Sequence, residues 1–509
     1  LHFYTLADIS LLGSMVLCVA RTFLSACRRN DGTACCRCKN NNISIELKYL
    51  RIANTIKISG LNIRHSELLS IEYFDKNHIF AGLKPFQPVS YQASMIWQQH
   101  IAPASADDYD YDLPEERIAL HPLAKRDESK LLIYNKGIIE ETTFRDFINY
   151  VPAQSHIVFN NSRVINARLL FRKESGAVIE VLCLEPVNPQ GYSASLSSPP
   201  GAEWKCMVGN LGKWKSGVIK ADFYYEGRKA NLYAEKIKKE ESTGTCIVRF
   251  TWDTVNLSFG DVIRHAGHVP LPPYIARHDE PEDELRYQTV YSKAEGSVAA
   301  PTAGLHFTPE MMAGLGKKNI VKTEITLHVG AGTFLPVKSK NIHDHRMHSE
   351  RFMIDYDGIQ RLINHPGKVI AVGTTSLRAL ESLYIACTGA MKNKTGIPDL
   401  PIEIGQWDGY DIKESPAVDE AFNSMAGMML KRGINELWCS TRLMIVPGFR
   451  FRVADILVTN FHLPRSTLLM LVAAWAGDDW KKIYNYALSH DFRFLSYGDS
   501  SLLVRNGES

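Results

Sequence analysis

Two runs of this chain could do chemistry: Pro301-Thr302-Ala303-Gly304-Leu305-His306-Phe307 and Leu327-His328-Val329-Gly330-Ala331-Gly332-Thr333-Phe334. Each crowds small residues around a histidine. Small residues let backbone amides approach a ligand, and an imidazole titrates near neutrality, so it can give or take a proton. Two further runs have the same character: Val372-Gly373-Thr374-Thr375-Ser376-Leu377-Arg378-Ala379-Leu380-Glu381-Ser382 and Thr459-Asn460-Phe461-His462-Leu463-Pro464-Arg465-Ser466-Thr467. A packing element would alternate or recur at helical spacing, and these runs do neither. They predict an enzyme site assembled from loops.

Rival chemistries fit less well. His343-x-His345-x-x-His348-x-Glu350 supplies metal-ligand types, but at no recognised zinc spacing, and Cys35-Cys36-x-Cys38 has no second ligand pair. No metal is expected. Gly330-x-Gly332 lacks the third glycine of a dinucleotide loop. Glu381, three residues after Arg378 on an expected helix, is placed to pair with it. Asn160-Asn161-Ser162-Arg163 reads either as a site-bearing turn after a strand or as a plain Asx turn. In Asp491-Phe492-Arg493-Phe494-Leu495-Ser496-Tyr497-Gly498-Asp499 a core strand accounts for the phenylalanines but not for Arg493 or Asp499.

The elements that must position these residues follow from pattern. Val369–Val372 is an apolar strand running through Gly373 into a helix, a geometry that presents backbone amides to an anion. Residues 456–458, the turn 460–466 and the helix 468–474 repeat it. From 166 to 265 short β-prone segments alternate with turn clusters, which predicts a small sandwich or barrel. Its Lys213-Trp214-Lys215 and Arg228-Lys229 read as a phosphate-tracking strip or as a solvated strand face. The expected organisation is a discontinuous catalytic α/β domain, 95–165 and 266–509, with 166–265 inserted and a further insertion at 388–442 carrying a helix at 418–430. Residues 1–94 read as a non-native or disordered leader, with Met95 as a start. The apolar run 6–20 is too short to span a bilayer and lacks a basic flank.

The totals agree with a soluble enzyme. Of 509 residues, 45% are hydrophobic and 22% charged, and a formal charge of +3 gives no general sign of nucleic-acid binding. Cys183, Cys206, Cys246, Cys387 and Cys439 are scattered singly, which suits small buried hydrophobes in the reducing cytoplasm.

The four runs, with His348-Ser349-Glu350 and the stretch from Phe494 to Asp499, resemble the bacterial S-adenosylmethionine:tRNA ribosyltransferase-isomerase family of queuosine biosynthesis. The likeness extends from about Tyr109 to Leu503, with the motifs in family order. It implies a mixed α/β, barrel-like catalytic domain with an inserted small β-barrel. It implies transfer and isomerisation of the ribosyl unit of S-adenosylmethionine onto 7-aminomethyl-7-deazaguanine at the wobble position of a tRNA with a GUN-type anticodon. Epoxyqueuosine forms, and adenine and methionine leave. S-adenosylmethionine is then a consumed substrate, with no separate cofactor, no membrane and a monomeric enzyme expected.

On that resemblance, proton transfers fall to His306, His328 and His348, with Glu350 or Asp499 as orienting partner. Thr374, Thr375 and the glycines Gly304, Gly330, Gly332 and Gly373 would hold the donor's sugar or carboxylate. Arg163, Arg378 and Arg493 would meet a tRNA phosphate or the methionine carboxylate. Asn161, Thr302, Thr333, Asn460, His462, Ser466 and Tyr497 complete the expected substrate contacts. The leader, 388–442 and 204–220 depart from the family pattern. A silent tRNA-binding relative, the same chemistry on another deazapurine, and a methyltransferase are the alternatives, and the missing Rossmann glycine counts against the last.

Overall fold

The computed structural model describes residues 105–505 apart from 174, 241–243, 255, 331–340, 394–395 and 411–414, and in addition the backbone of five earlier strands. The chain divides into Leu1–Pro88 and Val89–Ser509. In the first unit Thr33–Arg37, Ser44–Arg51 and Glu67–Phe74 form an antiparallel sheet, and Ile56–Ile58 pairs with Leu61–Ile63. The rest of the expected leader, and Met95, lie outside the described residues.

The second unit is mixed α/β, as expected, and is built on two large sheets. The larger has ten strands in the order Ile402–Ile404, Glu436–Thr441, Glu350–Asp355, Val321–His328, His156–Asn160, Val369–Val372, Ile456–Asn460, Ser500–Val504, Lys130–Asn135 and Ile138–Thr143. Its centre is parallel: Val321–His328, His156–Asn160, Val369–Val372 and Ile456–Asn460 run the same way. Three of these, His156–Asn160, Val369–Val372 and Ile456–Asn460, are buried at every position. That is why they read as unbroken apolar runs rather than alternating ones. Successive residues still face opposite ways. Ile157, Ile370 and Ile456 join a core with Phe144, Phe147 and Phe307, while Val158, Ala371 and Leu457 join another with the helices Thr374–Lys392 and Thr467–Ala476.

Parallel strands deliver their carboxyl ends to one edge, and ligand loops in open α/β sheets gather there. The runs after Val372 and Asn460, and the polar turn after Asn160, leave the sheet on this edge. Val321–His328 arrives differently. Its residues 321–325 pair in parallel with His156–Asn160, and 326–328 pair antiparallel with Glu350–Asp355.

The second sheet is antiparallel, in the order Val218–Tyr225, Arg228–Lys239, Cys246–Trp252, Ala202–Gly209, Val178–Asn188, Arg168–Arg172 and Gly267–His268. It has its own core of Trp204, Trp214, Phe250 and Phe259. The helix Phe259–Ala266 closes that core and starts at a capping box in which Ser258 and Asp261 exchange hydrogen bonds. Trp214 is wholly buried and donates from Nε1 to Gly217 O at 2.9 Å. It is therefore unable to stack on a nucleic-acid base, and the Lys213-Trp214-Lys215 strip is held around a core residue. Within 388–442 the strands Ile402–Ile404 and Glu436–Thr441 extend the main sheet, and the Val418–Arg432 helix packs into its core. No described helix is long and apolar enough to cross a membrane.

Candidate functional site

A cavity opens at the carboxyl edge of the parallel strands. Its walls come from 299–303, 373–375, 459–463 with Ser466, and 495–496, together with Tyr274 and Val329. Three of the four expected runs thus converge on one concavity, and the fourth contributes Val329. Gly330 is half-buried beside it, and Gly332 and Thr333 lie outside the described residues.

Local geometry explains the small residues. Gly373 has φ +94°, a conformation side chains rarely adopt, and it turns the chain from strand into helix. No side chain caps that helix, so its first amides, with Thr374 and Thr375, are presented to the cavity. A Cβ at Gly304 would overlap the Tyr291 hydroxyl. Ser466 is a cap: its Oγ accepts from Leu469 N at 3.1 Å and donates to Leu463 O at 2.7 Å.

One network forms the back of the cavity. Thr302 Oγ1 donates to Asn460 Oδ1 at 2.8 Å, and Asn460 Nδ2 donates to Asp499 O at 3.3 Å. A carbonyl can only accept, so the amide's orientation is set. The same Nδ2 faces His306 Nε2 at 3.3 Å, which makes Nε2 an acceptor and leaves the ring proton on Nδ1, 2.8 Å from Ser129 Oγ. Burial lowers the His306 pKa to about 3, so the ring is neutral. His462 is likewise lowered to about 3 by burial, and its Nε2 lies 2.8 Å from Thr459 Oγ1.

His348, Glu350 and Arg378 make a second network. Glu350 is wholly buried. Its Oε1 is 2.9 Å from His348 Nε2, and its Oε2 accepts from the Arg378 guanidinium. A carboxylate cannot donate, so the neutral His348 keeps its proton on Nε2 and offers the Nδ1 lone pair. Burial, then the Arg378 charge, lower its pKa to about 4. Burial lowers Arg378 to about 10, and its Nε has no partner.

His328 sits between rings. Tyr192 stacks on it at 4.0 Å between centroids, and Trp438 lies 6.4 Å away at 10°. Its Nδ1 is buried without a hydrogen bond, and burial lowers its pKa to about 4. Nothing in the sequence pattern flagged Tyr192 or Trp438, which come from the other sheet's connection and from Glu436–Thr441, two strands over in the main sheet.

The remaining expected residues are placed as follows. Of the two orienting candidates, Glu350 contacts a histidine. The Asp499 oxygens accept instead from Lys130 N at 2.9 Å and Arg493 N at 2.7 Å, tying two loops together. Tyr497 donates to Asp283 at 2.7 Å, and Asn161 bonds Glu324 and Thr326. Arg163 is exposed on a short strand. Glu381 does not pair with Arg378. It accepts from the amides of Arg452, Val453 and Ala454 at 2.8, 3.0 and 3.2 Å, because three converging N–H groups outbid a neighbour on the same helix. Among the described residues no group of three or more His, Cys, Asp or Glu side chains is placed to hold a metal.

Residues 106–503 match the family model described as queuosine biosynthesis protein. Two relatives are named S-adenosylmethionine:tRNA ribosyltransferase-isomerase. The one from Azoarcus sp. is 36% identical over 410 residues, spanning 79% of this chain and 98% of the relative. The one from Aromatoleum aromaticum is 37% identical over 409 residues, with the same shares. A crystal structure of S-adenosylmethionine tRNA ribosyltransferase from Thermotoga maritima is 29% identical and covers 78% of this chain and all of that one, with a TM-score of 0.37. From the length of the family match and the identity to its curated members, this chain belongs to the queuosine biosynthesis protein family.

Proposed function

We propose that this enzyme transfers and isomerises the ribosyl unit of S-adenosylmethionine onto 7-aminomethyl-7-deazaguanine at the wobble position of a GUN-type tRNA, giving epoxyqueuosine and releasing adenine and methionine. The observation that carries the reading is His348, a neutral base held by a buried carboxylate, in a family whose curated members are named for this reaction. S-adenosylmethionine is consumed as a substrate, no separate cofactor takes part, and the enzyme works as a cytoplasmic monomer. In this reading the larger sheet serves as a half-barrel scaffold, and the smaller one as an inserted barrel.

The chemistry needs a base for the sugar C5′ proton, which the adjacent sulfonium acidifies. It also needs a proton for departing adenine and an acceptor for the proton of the attacking amine. His348 Nδ1 has its lone pair free for the first task, because Nε2–H is committed to Glu350. His328, between Tyr192 and Trp438, is assigned the acceptor side, where flat rings suit a deazapurine. His306 uses both ring nitrogens inside the protein. It is therefore a positioning residue for Asn460, which with Thr302 faces the donor. The free helix amides after Gly373 and the hydroxyls of Thr374 and Thr375 are suited to the donor's sugar oxygens.

The test is adenine and methionine release from S-adenosylmethionine with tRNA carrying the deazaguanine base. Equal amounts of both, with a tRNA mass gain matching the transferred sugar, support the reaction. Binding of that tRNA without adenine release refutes it.

A further inference from the structure

Beside the cavity lies a smaller concavity with an unusual charge pattern. The guanidiniums of Arg126, Arg286 and Arg493 line it together with Ser129, His306 and Tyr497. Backbone carbonyls hold all three in place. Arg126 donates to Gln288 O at 3.1 Å, Arg286 to Leu123 O and to Ala124 O at 3.4 Å, and Arg493 to His121 O at 3.4 Å. Carboxylates answer only part of the charge. Arg286 pairs with Glu282 at 2.9 Å, and Arg493 approaches Asp499 at 3.7 Å. Among the described residues no carboxylate lies within ion-pair distance of Arg126. Burial, then the neighbouring Arg286 charge, lower its pKa, which is the mark of a cation missing its counterpart.

The two concavities share Ser496 as a lining residue, and the His306–Asn460–Thr302 chain of contacts runs between them. The two concavities are therefore neighbours, and an arm reaching the smaller from the larger has only to pass Ser496. Ser129, His306, Leu305 and Tyr497 there are all nearly inaccessible. The Arg286 and Arg493 side chains keep 15% and 28% exposure, so the recess opens outward, and a short terminal group fills it without the bulk of a polynucleotide backbone. Guanidinium forks match a carboxylate in a plane.

We propose that Arg126, with Arg286 and Arg493, is the clamp for the α-carboxylate of the sulfonium donor, and that it fixes the methionyl arm while the sugar faces the histidines. This rests on the reading of S-adenosylmethionine as donor. It extends the carboxylate site from Arg493 to Arg126 and Arg286.

The test is calorimetric binding of S-adenosylmethionine and of decarboxylated S-adenosylmethionine to the full chain, its Arg126→Gln variant and its Arg126→Lys variant. The unaltered protein should prefer the carboxylated ligand by roughly ten- to a hundredfold, the range for a hydrogen bond between charged groups. Arg126→Gln should shrink that preference by about tenfold, Arg126→Lys should restore part of it, and tRNA affinity should stay within about twofold. Because the readout is a ratio within one protein, general destabilisation cancels. Equal weakening of both ligands would overturn the clamp and leave the donor reading intact, as would loss confined to tRNA, which would make the anion a phosphodiester. If the unaltered protein binds neither sulfonium, the donor reading fails and the clamp with it.

Discussion

The Glu350–Arg378 pair offers the sharpest test of how this site is built. The Glu350 side chain is 0% exposed and the Arg378 side chain 6%, so neither charge can turn to water if the other is removed. Arg378 already has a buried Nε without a partner, and its remaining compensation comes from this carboxylate. Glu350→Gln should therefore cost about 3–5 kcal/mol, the range for stranding one member of a buried pair. Arg378→Met should cost a similar amount by removing the guanidinium that faces the buried carboxylate. The double variant removes both charges and should cost about as much as either single change, a coupling of about 3 kcal/mol. Urea unfolding of the four proteins measures this, read as midpoint shifts at constant slope. If the two costs simply add, with coupling below about 0.5 kcal/mol, the pair is not an interdependent unit and the reasoning fails. The kinetic side follows from the same geometry. Glu350→Gln no longer dictates which His348 nitrogen holds the proton, so adenine release should fall by about a hundredfold or more.

Three further outcomes are expected. His306 and His462 have folded pKa values lowered to about 3, so below pH 6.5 the unfolded chain takes up protons that the folded one refuses. Each should remove about 1.4 kcal/mol of stability per pH unit as pH falls from 6.5 towards 3, and His306→Asn should flatten a melting-temperature profile over that window. Gly304→Ala should destabilise by about 1–3 kcal/mol through overlap with the Tyr291 hydroxyl. That hydroxyl is buried without a partner, so Tyr291→Phe alone should be neutral or stabilising and should rescue much of the loss in thermal melts. Thr302→Val leaves Asn460 Oδ1 without its donor, and adenine release should slow at least tenfold while the fold, read by circular dichroism, is kept.

What could be read from the sequence was whatever is local. An apolar strand, a glycine that must take positive φ and a helix follow one another within ten residues at 369–378, and the pattern states all three. The convergence of the histidine-bearing runs was legible because small residues in a row have no packing use. The partners were not legible, since they are fixed by sheet order. Glu350 meets Arg378 because the Thr374–Lys392 helix packs on the strands to either side of Glu350–Asp355, and Tyr192 reaches His328 from another sheet's connection. The helical spacing of Glu381 and Arg378 pointed to a pair, and a loop 71 residues further on captured the carboxylate. Cys183, Cys206 and Cys246 look scattered along the chain, yet ladder register sets them side by side.

The place of Ser500–Val504 in the larger sheet bears on how this protein must be made. That strand lies between Ile456–Asn460 and the hairpin Lys130–Thr143, so the hairpin reaches the rest of the sheet through it. The Asp499 carboxylate that bonds Lys130 N joins residues 369 positions apart. During synthesis the hairpin therefore emerges early and stays undocked until almost the whole unit has left the ribosome. Closing so long a loop is slow, and the hairpin's apolar face waits exposed meanwhile. Chains that stop short of residue 499 should be bound by chaperones rather than partly active, since the wall carrying Asn460 and His306 is completed by the same late strand.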